Sequence, residues 1–229
     1  MVNRRSQPTV FQMETLPRKQ LETAKGDPLG TPAKILDAAE DIFAQYGYGG
    51  ATTRKIASRA KVNIATIHYY WGSKQDLWHS VLYRMVTRMT DLAAREITGV
   101  LSEDLSRGTE EVIGKIFDIF ADNPNYAILL QQGALRGYSE DLVQTILMPP
   151  LNKLVSFISD QIEKGKKLPF DPALGLFCLV GAMRIFFQER DVVKVVFGED
   201  PSCFSSDFRD RLKEILSLIA LRVSGLENR

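Results

Sequence analysis

Cysteine, histidine and long apolar runs are all scarce in this chain. Its 229 residues include two cysteines, Cys178 in an apolar stretch and Cys203 in a polar one. Neither belongs to a disulfide framework or to a set with metal-ligand spacing, which suits a reducing compartment and an expected cytoplasmic location. The two histidines, His68 and His79, have no Cys or acidic cluster around them in the sequence, so no metal site is expected. Also lacking are a glycine-rich phosphate loop, a nucleophile elbow and an acid/base pair in a recognisable setting. The expectation is therefore not an enzyme, with no cofactor implied. The longest apolar run, Ala173 to Met183, stops at Arg184. A bilayer needs about 20 residues, so no membrane partner is expected. The polar N-terminus has no apolar segment of the kind a signal peptide needs.

Net charge is small too, at +1, but it is unevenly spread. Residues 1–80 hold 11 Lys and Arg against 7 Asp and Glu, whereas residues 81–229 hold 18 against 21. A basic front suggests an anionic partner for that part of the chain. Hydrophobic residues make up 45% and charged residues 25%, as in ordinary globular proteins.

What is present is helical periodicity. Residues 1–30, rich in Pro, Thr, Gln and Lys, have no such period and read as a flexible basic arm; it either lies along DNA or is an ordinary terminus. Thr31 is a suitable N-cap and Pro32 a suitable first helical residue. Ile35, Ala38, Ala39, Ile42, Phe43 and Tyr46 then form one apolar stripe, and Gly47 closes the helix. Thr52 or Thr53 caps a second helix to about Ala60. Lys61-Val62-Asn63 makes a turn, and Asn63 caps a third helix from Ile64 to about Trp71.

The third helix decides the reading. At about 100° per residue, Ile67 and Trp71 share one side with Ile64, while Ala65 and Tyr69 point away, flanked by Thr66 and His68. Tyr70 is on the border. Such a face is small enough to approach a groove and rich in single donors and acceptors. Ser73 caps a long helix from Lys74 to about Thr98. Lys74 at that N-terminus would complete a phosphate clamp.

Residues 31–83 resemble the DNA-binding domain of the tetracycline-repressor (TetR) family of bacterial transcriptional regulators. The resemblance rests on Phe43-Ala44-Gln45-Tyr46-Gly47-Tyr48, Ala51-Thr52-Thr53, Ile56-Ala57 and the Ala60-Lys61-Val62-Asn63 turn. It continues through Thr66-Ile67-His68-Tyr69-Tyr70-Trp71 and Ser73-Lys74 with Leu77. It implies that Thr53 and Arg54 contact phosphates and that Ile64, Ala65, Thr66 and Tyr69 face the major groove. His68, Tyr70 and Lys74 would anchor the backbone. The chain departs from the family at Lys61, where Gly is usual, so the turn is either strained or gains a phosphate contact. It departs also at His68, which replaces a frequent Tyr and is either a neutral polar contact or a pH-sensitive one to the backbone, and at Trp71, which replaces a frequent Phe.

The expected architecture is all-α. After the arm (1–30), a three-helix helix-turn-helix domain (31–80) precedes a larger helical effector-binding and dimerisation domain (81–229). In the rear domain, Thr109 would cap a helix to Asp122. Tyr126 to Leu135 forms a short helix, and a long one runs from Ser139 to about Lys164, kinked at Pro149-Pro150. The Gly165–Pro169 region ends it, and Asp171-Pro172 opens the next helix. That helix is apolar on nearly every side to Phe187 and must be covered all round. Ser205 or Ser206 caps the last, with Phe208, Leu212, Ile215, Leu216, Ile219 and Val223 as its stripe.

The last two helices would pair with a second copy in a homodimer. Candidate effector-lining residues are Tyr83, Met89, Phe117, Phe120, Gln131, Gln132, Tyr138 and Phe177. The reading is a repressor whose homodimer binds a near-palindromic double-stranded DNA operator and is released by a small-molecule effector. The alternative is a ligand-binding or protein-interaction module of the same fold that no longer binds DNA.

Overall fold

The computed structural model describes residues 30–97, 105–138, 140–162, 171–200 and 203–224. The basic arm before Gly30, Thr98 and the stretch from Glu163 to Phe170, where the long helix was expected to end, lie outside them. Every regular element among the described residues is helical. They are α1 (Thr31–Gly50), α2 (Thr53–Ala60), α3 (Ile64–Trp71), α4 (Lys74–Ile97), α5 (Leu105–Asp122) and α6 (Asn125–Leu135). Then come α7, in two pieces (Glu140–Leu142 and Met148–Ile162), α8 (Pro172–Gln188), α9 (Arg190–Phe197) and α10 (Ser206–Ser224). The described residues group into two compact units, those within Met1–Val81 and Ser139–Ile146, and those within Leu82–Tyr138 and Leu147–Arg229.

In the first unit the α1 stripe of Ile35, Ala38, Ala39, Ile42 and Phe43 is buried. Thr31 proves to be the first helical residue, with Gly30 before it as the N-cap. Gly47 breaks the helix at φ 68, ψ 169, but one more turn follows to Gly50. A side chain would crowd the carbonyl at that positive φ, so glycine belongs there. α1 packs on α2, and Ile56 and Ala57 of α2, Ile67 and Trp71 of α3, and Leu77, Trp78 and Val81 of α4 are buried as well. Phe43, Tyr48 and Trp78 form an aromatic cluster with centroids 4.9–5.9 Å apart.

The second unit is built around α8, which packs against α5, α6, the second piece of α7, α9 and α10. Its core holds a phenylalanine cluster, Phe117, Phe120, Phe187, Phe204 and Phe208, linked by ring pairs. Lys213 with Asp118 at 2.7 Å and Arg209 with Asp122 at 3.3 Å join α10 to α5.

Three expectations change here. The helix expected from Thr109 starts at Leu105, a turn earlier. The long helix has a π-helical stretch, Val143–Leu147, directly before Met148, so Pro149 and Pro150 fall in the first turn of a new segment. Neither proline has an N–H to donate back into that stretch, so the helical ladder is interrupted there, next to a wider turn. The apolar stripe expected on α10 divides: Phe208, Leu212 and Leu216 are buried, while Ile215 and Ile219 are more than half exposed.

Candidate nucleic-acid interface

The α2–turn–α3 segment is set by its caps. Thr52 has extended backbone, and its side chain accepts from Lys55 N at 3.2 Å, fixing the start of α2. Asn63 does the same for α3, accepting from Ala65 N at 2.9 Å. Between them Lys61 takes the left-handed conformation, φ 56 and ψ 43. Its N–H donates to Ser58 O at 3.2 Å, and Val62 N–H donates to Ala57 O at 3.0 Å. These bonds close α2 and turn the chain into α3 within three residues. For a residue with a Cβ this backbone costs about 1 kcal/mol.

α3 is held by one side only. Ile67 and Trp71 are 1% and 6% exposed. Trp71 Nε1–H donates to Ser80 Oγ at 3.0 Å, and that hydroxyl donates to Asp76 O. Opposite them, Ala65 and His68 are exposed and Tyr69 is 60% exposed. Ile64, Thr66 and Tyr70 are half-buried at the edges, where Tyr70 leans edge-on to Tyr69, centroids 5.2 Å apart. His68 Nδ1 is 2.9 Å from Gly72 O. A carbonyl only accepts, so the proton is on Nδ1 and the ring is locked in one orientation.

At the N-terminus of α4, Ser73 Oγ accepts from Asp76 N at 3.1 Å and donates to the Asp76 carboxylate, a reciprocal cap. Thr53, the first residue of α2, is half-buried, and Arg54 beside it is exposed. Lys74 stands differently from its expected role. Its Nζ donates to Tyr48 O at 2.9 Å and Ala51 O at 3.0 Å and lies 4.2 Å from the Tyr48 ring centroid. Two of its three N–H groups therefore pin the end of α1 to the start of α4. Nothing local in the sequence announces this, because the partners lie 23 and 26 residues upstream.

Residues 35–81, which include all of α2 and α3, match the family model described as bacterial regulatory proteins, tetR family. Over 192 residues the chain is 31% identical to a helix-turn-helix-type transcriptional repressor from Streptomyces coelicolor, covering 83% of this chain and 95% of that protein. The chain belongs to the tetR family of bacterial regulatory proteins. Among solved structures it is similar to the fatty acid degradation regulator FadR from Bacillus halodurans, with a TM-score of 0.64, 23% identity, and coverage of 90% of this chain and 100% of that one. It is also similar to FadR from Bacillus subtilis in complex with stearoyl-CoA, with a TM-score of 0.59, 24% identity, and coverage of 80% and 96%. The two structures speak for the fold.

In this TetR-family transcriptional regulator the expected effector residues scatter within the second unit. Phe117 and Phe120 are fully buried, and their rings meet those of Phe187 and, for Phe117, Phe204. Met89 is buried, whereas Tyr83, Gln131, Gln132 and Tyr138 are half-buried. Phe177 is corrected: it is 65% exposed on the outer face of α8, because the wheel of an all-apolar helix does not say which side its own domain covers. Tyr138 lies against α6, its hydroxyl donating to Leu130 O at 2.7 Å. It fits there because residue 133 is glycine; a Cβ would come within 2.5 Å of the ring.

Burial holds the Tyr138 phenol above its usual pKa, partly offset by the charge of Arg184. Arg184, in the sequence only an interruption of the α8 apolar run, has a buried Nε without a hydrogen-bond partner. Burial lowers its pKa, with Tyr138 opposing. Its one signal in the sequence is a lone cation in an apolar helix. No helix among the described residues is long and apolar enough to cross a membrane.

Proposed function

We propose that the chain is a homodimeric repressor that binds a near-palindromic operator through α3 and leaves it when a small molecule occupies the second unit. The observation that carries the reading is the α3 face. Tyr69 and Ala65 point to solvent from a helix whose other side is fixed by Ile67 and Trp71. A short helix with capped N-terminus, small and single-hydroxyl residues outside and no long charged side chain suits entry into a major groove. Ile64, Ala65, Thr66 and Tyr69 would meet base edges. Thr53, Arg54, His68 and Tyr70 would meet the backbone, and Lys74 would offer its remaining N–H.

The homodimer reading is supported by α8 and α10, which pack on each other yet leave Leu174, Phe177, Ile185, Ile215, Leu218 and Ile219 more than half exposed. A second copy would bury both faces in a four-helix arrangement. Two-fold symmetry then presents two α3 helices to half-sites about 34 Å apart. An effector acts by favouring a state with a different spacing. The relative crystallised with stearoyl-CoA supports an effector with an apolar chain. Tyr83, Met89, Gln131, Gln132, Tyr138 and Arg184 are the residues proposed to receive it.

The test is binding of full-length protein to a duplex recovered by selection from a random 30-base-pair pool (a length of about three helical turns). Tyr69→Ala should weaken binding roughly a hundredfold, two contacts being lost per dimer, while sedimentation still gives a dimer. Unchanged binding would sink the assigned face.

A further inference from the structure

Five cationic side chains lie between Thr52 and Lys74: Arg54, Lys55, Arg59, Lys61 and Lys74. Three are committed within the first unit. Lys55 Nζ donates to Gly50 O at 3.0 Å and lies 3.9 Å from the Tyr46 ring centroid. Arg59 pairs with Asp41 at 2.8 Å. Lys74 holds the carbonyls of Tyr48 and Ala51. Arg54 and Lys61 are exposed, and their side chains make no hydrogen bond or ion pair with any described residue. They stand at opposite ends of α2, an eight-residue helix and hence about 12 Å long.

Lys61 is also the one non-glycine residue at positive φ among the described residues. The turn requires the left-handed backbone, because the bonds that close α2 depend on it. It does not require lysine: glycine adopts that conformation without crowding and asparagine more easily than most residues. A strained residue at the entry to the helix assigned to the groove, with its ammonium unspent, is what a functional contact would look like.

We propose that Lys61 contacts a DNA phosphate beside the N-terminus of α3 and forms with Arg54 a two-point clamp across α2. The proposal rests on the DNA-binding reading above. It transfers to Lys61 much of the electrostatic role that Lys74, turned onto its own backbone, has less of itself to supply. A lysine there adds affinity without sequence preference, since a phosphate carries no base information.

The experiment uses full-length protein and the selected duplex, with fluorescence anisotropy from 50 to 200 mM salt, the range over which phosphate contacts show in the slope. Lys61→Gly removes the charge and the strain together. It should melt a few degrees higher yet bind about tenfold more weakly near 0.1 M salt. The slope of log affinity against log salt should fall by about one per subunit. Lys61→Arg should keep the wild-type slope, and Lys61→Asn, which tolerates the backbone, should match the glycine variant in binding.

Binding by Lys61→Gly as tight and as salt-dependent as wild type would overturn the proposal, as would equal losses in the arginine and glycine variants. If selection recovers no duplex, the DNA-binding reading falls and this one with it. A duplex bound normally by every Lys61 variant removes this inference alone.

Discussion

Around α2 and α3, polar side chains are turned onto the chain's own backbone. Thr52 and Asn63 cap, Ser73 and Asp76 cap each other's turn, and Lys74 holds two carbonyls from α1 and the residue after it. The second unit makes such bonds too, at Asp171 and Tyr138, but it also leaves more uncovered. Six large apolar side chains of α8 and α10 stay more than half exposed, and a guanidinium nitrogen of Arg184 is buried without a partner. The first unit satisfies its own groups and offers a polar face. The second leaves apolar side chains exposed and a buried nitrogen unpaired among the described residues. A DNA reader needs a rigid shape before it meets its ligand, whereas a dimerising sensor draws its association energy from what it leaves uncovered.

The largest test of that contrast is to charge the uncovered face. Ile215→Glu with Ile219→Glu places two carboxylates where a second copy would bury apolar side chains worth about 1.5–3 kcal/mol each. Dimer dissociation should strengthen by roughly a hundredfold or more, read by sedimentation, with far-UV dichroism unchanged because neither residue faces its own core. Selected-duplex binding should fall with it. A variant that stays dimeric would mean the face is covered by something else, and the contrast would lose its second half.

The next test sits in the first unit. Lys74→Met keeps the length of the stem and removes two charge-assisted bonds and a cation–ring contact. The carbonyls of Tyr48 and Ala51 lose their ammonium, and the expected loss of stability is about 2–3 kcal/mol by urea unfolding. Arg54→Gln, a cation of the same segment without a partner among the described residues, should move it by less than about 0.5 kcal/mol. Equal effects would show that Lys74 is an ordinary exposed cation after all.

How much of this was legible in the sequence follows from how local each cause is. Thr52, Asn63 and Asp171 announce the helices they cap because a cap acts over three residues. The inward positions of Ile67 and Trp71 follow from one helical period. The bonds of Lys74 to Tyr48 O and Ala51 O are not legible in the sequence, because those partners are brought to it only by folding. The stripe on the last helix did not separate Ile215 and Ile219 from Leu212 and Leu216, because a broad apolar arc shows where hydrophobic residues lie, not which part of the arc its own domain covers. Helix α9 went unseen between Phe187 and Ser205: Arg-Asp-Val-Val-Lys-Val-Val-Phe is rich in β-branched residues, whose strand preference is a weak prior that packing overrides. There Val193 is buried and Val195 is 85% exposed.

The smallest test probes a further polar bond of the second unit, an exposed one. Glu199 lies between α9 and α10, where its carboxylate accepts from Ser205 Oγ at 2.6 Å and from Ser205 N at 2.9 Å. The serine hydroxyl and then its N–H hold the carboxyl below its usual pKa, with a lesser contribution from Arg211, against a small opposing effect of burial. The folded-state value is the lower one, so its stabilisation is complete above the unfolded value of 4.5 and is lost as pH falls through the folded value. Glu199→Gln should therefore melt about a degree lower at pH 7, and the two proteins should converge as the pH drops below that range. The group is exposed, so screening keeps the effect small and added salt should shrink the part owed to Arg211. A difference that persists unchanged into acid would assign the loss to altered packing at the α9–α10 junction instead of to the charge.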